Sequence, residues 1–246
     1  MPTKTHRIAF CKSVLPSVMD GSKTLTSRVI NGPGNDWHGD CLLGDWSLSG
    51  EPRQYGGGGV PYHWQGKKLP TIGDWVWDVQ TDVDDSATYP IRCPYGEPGD
   101  ILNVCEGYRF DHIPYVGRTV WGQYLADDVT FKVTLTEAEW ARFEKRKYPS
   151  RATPGRFMYG SLCRTTLINR EVRVERLQDI TKKDAIAEGI GWSPAFPEGY
   201  TAPGCPRGFG SAEGAFMWLW DSINTRPGRT WDDNPWVWRV RFERVE

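Results

Sequence analysis

One stretch of this chain gathers the residue types that hold an anion or polarise a carbonyl: Gly21-Ser22-Lys23-Thr24-Leu25-Thr26-Ser27-Arg28. An ammonium, two hydroxyls and a guanidinium at one turn supply donors for a phosphate or for a carbonyl oxygen. Leu15 to Gly21 suits one or two turns of helix, with Pro16 in the first turn, where a missing N–H is tolerated, and Gly21 as the stop. Thr24, Thr26 and the apolar Val29-Ile30 favour an extended chain. Side chains then alternate, so Thr24, Thr26 and Arg28 share one face, and Lys23 and Leu25 point away unless the turn re-aims the lysine. The competing reading of these eight residues is an ordinary solvated turn. A second candidate is Glu106, a carboxylate at the end of the apolar strand Ile101-Leu102-Asn103-Val104-Cys105. At a strand end beside a cleft it is placed for acid or base work; opposite an Arg or Lys it is a surface glutamate.

No metal or cofactor is expected. The six cysteines, at positions 11, 41, 93, 105, 163 and 205, form no CxxC pair, which argues against a disulfide framework and a zinc ribbon. His38-Gly39-Asp40-Cys41 has metal-like spacing without a second ligand pair. Asp82 to Ser86 lacks the glycine and terminal glutamate of an EF-hand and reads as a polar hairpin turn. Gly56-Gly57-Gly58-Gly59 lacks the Lys-Ser/Thr of a phosphate loop and reads as a flexible tip.

With 39% hydrophobic and 25% charged residues, the composition is that of an ordinary globular protein. No stretch approaches the about 18 apolar residues of a membrane span, and the polar start from Met1 to Arg7 lacks the apolar core of a signal peptide. A cytoplasmic protein with no membrane partner is expected. The net charge of −1 conceals an asymmetry: seven acids against one base from Asp74 to Asp100, and ten Lys/Arg against three Glu from Arg142 to Arg176. The basic block is interleaved with Phe143, Tyr148, Phe157 and Tyr159, the mixture that contacts phosphates and stacks bases. A helix and strands presenting charge to water give the same pattern.

The elements that position these residues follow from periodicity and caps. Arg7 to Cys11 reads as a first strand, and residues 31 to 71 as a long irregular excursion rich in Gly, Pro and Trp. Asp74 to Gln80 and Thr88 to Cys93 form a hairpin, with Trp75 and Trp77 on one side of a sheet. Thr119 to Ala126 is a further strand. Thr136 with Glu139 makes a capping box for a helix to about Lys147. Strands follow from Leu162 to Ile168 and from Val172 to Leu177, then a helix capped by the Thr181 to Asp184 segment. In the last helix Phe216, Leu219, Trp220 and Ile223 make a core-facing stripe. In the closing strand Trp236, Trp238, Val240 and Phe242 face in, and Arg239, Arg241 and Glu243 face out. Short strands with a few helices between them predict an α+β or largely β, barrel-like core, as a single domain over residues 1–246 with an insertion at about 31–92.

Several segments together resemble one family. Residues 21–28 are similar to the Gly-x-Lys-Thr-x-Thr-x-Arg motif of the ASCH domain, a relative of the PUA domain. Tyr95-Gly96-Glu97-Pro98-Gly99-Asp100, continuing to Glu106, resembles a segment of phage and prophage members. So do Val172 to Gly189, Leu219 to Asn224 and Asn234 to Trp238, in the same order along the chain. The resemblance implies a small PUA-like β-barrel with flanking helices and a cleft beside the Lys-Thr-x-Thr-x-Arg segment, where the superfamily binds RNA, modified nucleobases or nucleosides. Some compact ASCH proteins are amidohydrolases of acetylated cytidine, in which a Lys and the second Thr act with a Glu on a later strand. Lys23 and Thr26 match the first two, but the Glu position aligns with Ile168, which can neither relay a proton nor orient a lysine. Glu171, if its strand bulges, and Glu106 are the carboxylates that can replace it.

Three functions follow as expectations. The first is a phage-type ASCH-like module binding RNA, DNA or a modified base through Lys23, Thr24, Thr26, Arg28 and Arg164. The second is a hydrolase of an acylated nucleoside with Thr26 as nucleophile and Lys23 as its activator, or a ribonuclease using the same cations. The third is a protein-binding phage factor acting on a host system.

Overall fold

A computed structural model of the chain describes residues 3–30, 47–48, 53–54, 75–80, 87–90, 92–112, 117–145, 152–196 and 199–245. The fold is α+β, and the chain divides into two compact units, Met1–Arg28 with Tyr95–Glu246, and Val29–Pro94.

The larger unit begins with β1 (Thr5–Ala9), α1 (Leu15–Met19) and, after the Gly21 turn, β2 (Leu25–Val29). The smaller unit holds β3 (Ser47–Leu48), β4 (Arg53–Gln54), β5 (Trp75–Gln80) and β6 (Ala87–Pro90). Here the expected hairpin forms, with β6 antiparallel to β5, and β3 and β4 also pair with β5. Val76 on β5 is fully buried. The side chains of Trp75 and Trp77, the His38/Cys41 pair, the tetraglycine and the Asp82–Ser86 turn lie outside the described residues.

Back in the larger unit come β7 (Ile101–Cys105), β8 (Tyr108–His112), β9 (Thr119–Tyr124) and β10 (Thr130–Thr134). They are followed by α2 (Glu137–Lys145), β11 (Thr166–Arg176), α3 (Lys182–Ala187), β12 (Gly191–Trp192), β13 (Tyr200–Thr201), α4 (Ala212–Ile223) and β14 (Trp236–Arg244). Five strands form the central sheet in the order β1-β7-β11-β14-β2, with β1 parallel to β7 and β11 antiparallel to both neighbours. Among the described residues no pairing joins β2 back to β1, so this sheet is open. A second, three-stranded sheet, β10-β9-β8, covers a core of Tyr108, Phe110, Val120, Tyr124, Phe131 and Phe143.

The capping box acts as read from sequence. Thr136 and Glu139 exchange their capping-box bonds, Glu139 Oε2 accepting from the Thr136 amide at 3.0 Å and Thr136 Oγ1 from the Glu139 amide at 3.3 Å. Ser211 Oγ accepts from the Gly214 amide at 3.0 Å and caps α4.

Four expectations need correction. The two strands assigned to 162–168 and 172–177 are one strand, β11, continuous through a bulge between Asn169 and Glu171. Ile223 is 48% exposed rather than core, because α4 ends there and its stripe closes at Trp220. Arg239 does not face out; it is fully buried, because β14 has neighbours on both sides and its polar face is covered too. Its Nη2 donates to the carbonyls of Arg176 (3.0 Å) and Leu177 (2.9 Å), and its Nη1 to Ser27 Oγ (3.2 Å). Its Nε sits 2.5 Å from Glu175 Oε2 without hydrogen-bond alignment, a coulombic contact. Last, Phe143 and Tyr159 of the basic block are buried core residues rather than exposed rings, while Phe157 is 40% exposed. The block's arginines on and next to β11 are engaged internally: Arg164 with Glu106, Arg170 with Glu243, and Arg173 with Glu175 and Asp184.

Candidate functional site

The site is built where the turn after α1 meets the end of α3. Gly21, at φ +80°, ends the helix in the left-handed region. Asp20 Oδ1 then takes the Ser22 amide at 2.8 Å, and the Lys23 amide donates back to the Ser17 carbonyl at 2.8 Å, which folds the chain against α1. Thr24 threads between two elements: its N–H donates to Ala187 of α3 and its carbonyl accepts from Phe242 of β14, both at 2.8 Å. These bonds re-aim Lys23 into the protein.

Helix α3 is fixed at its start by Thr181, whose Oγ1 accepts from the Asp184 amide at 3.1 Å. Asp184 and Glu188 lie four residues apart, on one helix face, and both are buried. Asp184 is held by the sheet, with Arg173 Nη2 at 3.1 Å and Arg241 Nη2 at 3.0 Å on the same oxygen. Glu188 is held by Lys23, whose Nζ donates to the Glu188 carbonyl at 2.6 Å and to its Oε2 at 2.5 Å. Gly189 follows at φ +100°, and a Cβ there would stand 3.2 Å from Ser17 Oγ and 3.7 Å from Lys23 Cβ. A glycine therefore suits this position on both counts.

Lys23 is 3% exposed and Glu188 4%. Burial pulls the Lys23 pKa below the ordinary lysine range, the nearby Glu188 carboxylate opposes the shift, and Arg28 adds to it. The pair is not saturated. Glu188 Oε1 is buried with no hydrogen-bond partner among the described residues. An ammonium has three donors, of which Lys23 uses two on Glu188. An acceptor oxygen without a partner among the described residues thus remains beside an ammonium that has used two of its three donors, and a group carrying both N–H and C=O, such as an amide or a nucleobase edge, has the chemistry to meet them.

The other predicted residues divide into three places. Thr26 is buried on β2, three residues along the chain from Lys23. Arg28, at the far end of β2, donates from Nη2 to the Ala9 carbonyl at 2.6 Å and lies 5.2 Å over the Phe10 ring; its Nε is buried without a partner among the described residues. Glu106 and Arg164 form a unit of their own: Arg164 Nε and Nη2 grip both oxygens of the 1% exposed Glu106, at 2.7 and 2.8 Å. Arg164 also reaches Asp127 Oδ2 at 2.9 Å and stacks 4.0 Å over Tyr124. Burial works against the Arg164 charge, but Glu106 and Asp127 outweigh it and raise its pKa. A bidentate arginine occupies the Glu106 carboxylate within this cluster. Glu171 does sit at a bulge in β11, but its carboxylate turns to Arg241 Nε at 3.1 Å and Arg173 Nε at 3.6 Å. Ile168 pairs with Ile101 and Glu243 in the sheet.

Glu188 is the residue that sequence reasoning passed over. The signal was available: two acids at i and i+4 with a glycine directly after the second, separated only by Ala185, Ile186 and Ala187. Among the described residues no group of three His, Cys, Asp or Glu side chains could hold a metal ion, and no helix is long and apolar enough to cross a membrane.

Comparison with known proteins adds no relative: no family model, no curated protein and no solved structure matches the chain.

Proposed function

We propose that the chain is an ASCH-like protein of the PUA-like superfamily, of the phage and prophage kind, whose Lys23–Glu188 pair holds a nucleobase or nucleoside, free or within RNA or DNA. One observation carries this reading: the buried Glu188 oxygen left without a donor beside a lysine with a proton to spare. A buried acceptor without a partner costs about 1–3 kcal/mol, so a ligand that donates there recovers that cost. The exocyclic amine or ring N–H of a base supplies the donor, and its carbonyl oxygen accepts from Lys23. The motif that gave the resemblance, residues 21–28, is the one that carries Lys23 and Thr26.

A second reading, hydrolysis of an acylated nucleoside, is favoured by the depressed Lys23 pKa, which makes a neutral amine easier to reach. In it Thr26 Oγ1 attacks the acyl carbonyl as Lys23 takes the hydroxyl proton; the C–N bond then breaks as that proton passes to the departing nucleoside amine, and water cleaves the Thr26 ester to release the carboxylic acid.

The test is calorimetry and product analysis with cytidine, acetylated cytidine and short RNA and DNA oligomers. Binding should be lost in Glu188→Gln and Lys23→Ala. Thr26→Ala should weaken binding by only about 1–2 kcal/mol, the scale of one hydrogen bond. Turnover of acetylated cytidine that vanishes in Thr26→Ala would make the protein a hydrolase. Failure of the whole set to bind would refute the nucleobase reading and favour a protein partner.

A further inference from the structure

Four residues beyond Glu188 stands an aromatic that the Lys23–Glu188 pair does not use. Trp192 is 66% exposed, more than any other large hydrophobic side chain among the described residues. It is nevertheless firmly held. In the β12–β13 ladder Trp192 lies opposite Tyr200, and Tyr200 in turn bridges Phe209. Directly opposed residues of antiparallel strands project to the same face, so Trp192, Tyr200 and Phe209 form one cross-strand row. The Trp192 and Tyr200 rings meet edge to face at 5.0 Å, and Phe209 is backed by Trp218 of α4 at 6.4 Å. The Trp192 ring lies down on Gly199, where a Cβ would fall 2.1 Å from the indole; the φ of +84° there also favours glycine. Two cations edge the row: Lys182 Nζ is 5.3 Å from the Tyr200 centroid, and Arg207 Cζ is 4.9 Å from that of Phe209.

We propose that this row is a stacking platform for single-stranded nucleic acid, with Trp192 taking a base and Lys182 and Arg207 meeting the adjoining phosphates. The charge is what selects this occupant. Rings alternating with exposed cations stack bases and neutralise a phosphate backbone together. Nor does stability account for the arrangement, because a ring this exposed has kept most of its area in water. The proposal rests on the nucleobase reading of Lys23 and Glu188 and deepens it: the ligand is a strand, not a free nucleoside. Gly189 lies against Lys23, and Trp192 is three residues further on, at most about 11 Å along the chain, so one short strand reaches both.

The experiment measures labelled oligouridine and oligothymidine of about eight nucleotides by fluorescence anisotropy, beside cytidine and acetylated cytidine by calorimetry. Oligomers should bind more tightly than nucleosides. Trp192→Ala should weaken the oligomers by about 5- to 150-fold, the value of one stacked base, and leave nucleoside affinity unchanged; Trp192→Phe should recover part of the loss. Lys182→Ala should lower the slope of log affinity against log salt by about 0.7. Because Trp192 is on the surface, thermal melting should show all three variants folded. Oligomers that bind no more tightly than nucleosides, or that ignore Trp192→Ala, would overturn the platform and leave the base site standing. Loss of nucleoside and oligomer binding alike in the wild-type protein would overturn both.

Discussion

Replacing Glu188 by alanine strands Lys23. The ammonium keeps its bond to the residue-188 carbonyl but loses the carboxylate that holds it among the described residues, in a position 3% exposed. Breaking a buried pair from one side costs about 3–5 kcal/mol. The structure also sets a ceiling on that cost, because the lysine can shed its proton and stay bonded to the carbonyl as a neutral amine. With an ordinary pKa of 10.5, discharge at about pH 7 costs about 5 kcal/mol, at about 1.36 kcal/mol per pH unit. At about pH 9 the same discharge costs only about 2 kcal/mol. The sign follows from linkage: burial holds the folded pKa below 10.5, so the unfolded chain binds that proton more tightly. Stability therefore falls as pH drops from 10.5 toward the folded pKa, and more steeply in the variant. Urea unfolding of wild type and Glu188→Ala at the two pH values measures the difference. The expected loss is about 3–5 kcal/mol at about pH 7, shrinking to about 2 kcal/mol or less at about pH 9. Adding Lys23→Met to the variant should restore much of the stability, since the stranded charge is gone. A loss below about 1 kcal/mol at neutral pH, or one that does not shrink with rising pH, would refute a buried charged pair at this place.

Three further outcomes can be measured by the same unfolding curves. Asp184 sits below its ordinary pKa of 3.8: burial opposes its charge, but Arg173 and Thr181 outweigh burial. The stability it contributes is complete above 3.8 and is lost as pH falls through the depressed value, so Asp184→Asn should cost about 2 kcal/mol at neutral pH and less in acid. Arg239→Met leaves two buried carbonyls without their donor and Glu175 with Arg173 as its remaining cation among the described residues, and should cost about 3–5 kcal/mol. Gly189→Ala places a Cβ at φ +100° against Ser17 and should destabilise by more than about 1 kcal/mol, and it should disturb Lys23 in the same step.

Local signals were legible in the sequence wherever one short segment carried both the residue and its partner. The Thr136/Glu139 box, the Thr181 cap, the Gly21 stop and the strand ending before Glu106 all stand close to where the residues put them. What failed depended on neighbours distant in sequence. Alternation sent Arg239 outward, because a period of two says which residues share a face but not whether that face is covered. The basic block stayed open between a phosphate surface and charge presented to water, because the acids that pair with it lie elsewhere in the chain, at Glu106, Asp184 and Glu243. The same reason hid Glu188: in sequence it is one more acid on a short helix, and only the docking of the Lys23 turn against the end of α3 gives it a partner. Thr24, read from sequence as a ligand-binding residue, also carries the two backbone bonds that do that docking.

The 165 positions between Lys23 and Glu188 also set a clock. At about 5–20 residues per second on a ribosome, the carboxylate is made about 8–33 s after the lysine it will hold. For that interval Lys23 has no Glu188 to meet, and a hydrated ammonium on a nascent chain has no reason to leave water. β14, which takes the Thr24 carbonyl, comes later still. The half-filled pair can therefore form only after the secondary structure on both sides of it has been synthesised, and the binding proposed at this place would report on assembly of the whole larger unit. A truncated or stalled product carrying residues 21–28 intact would present the motif and be inert.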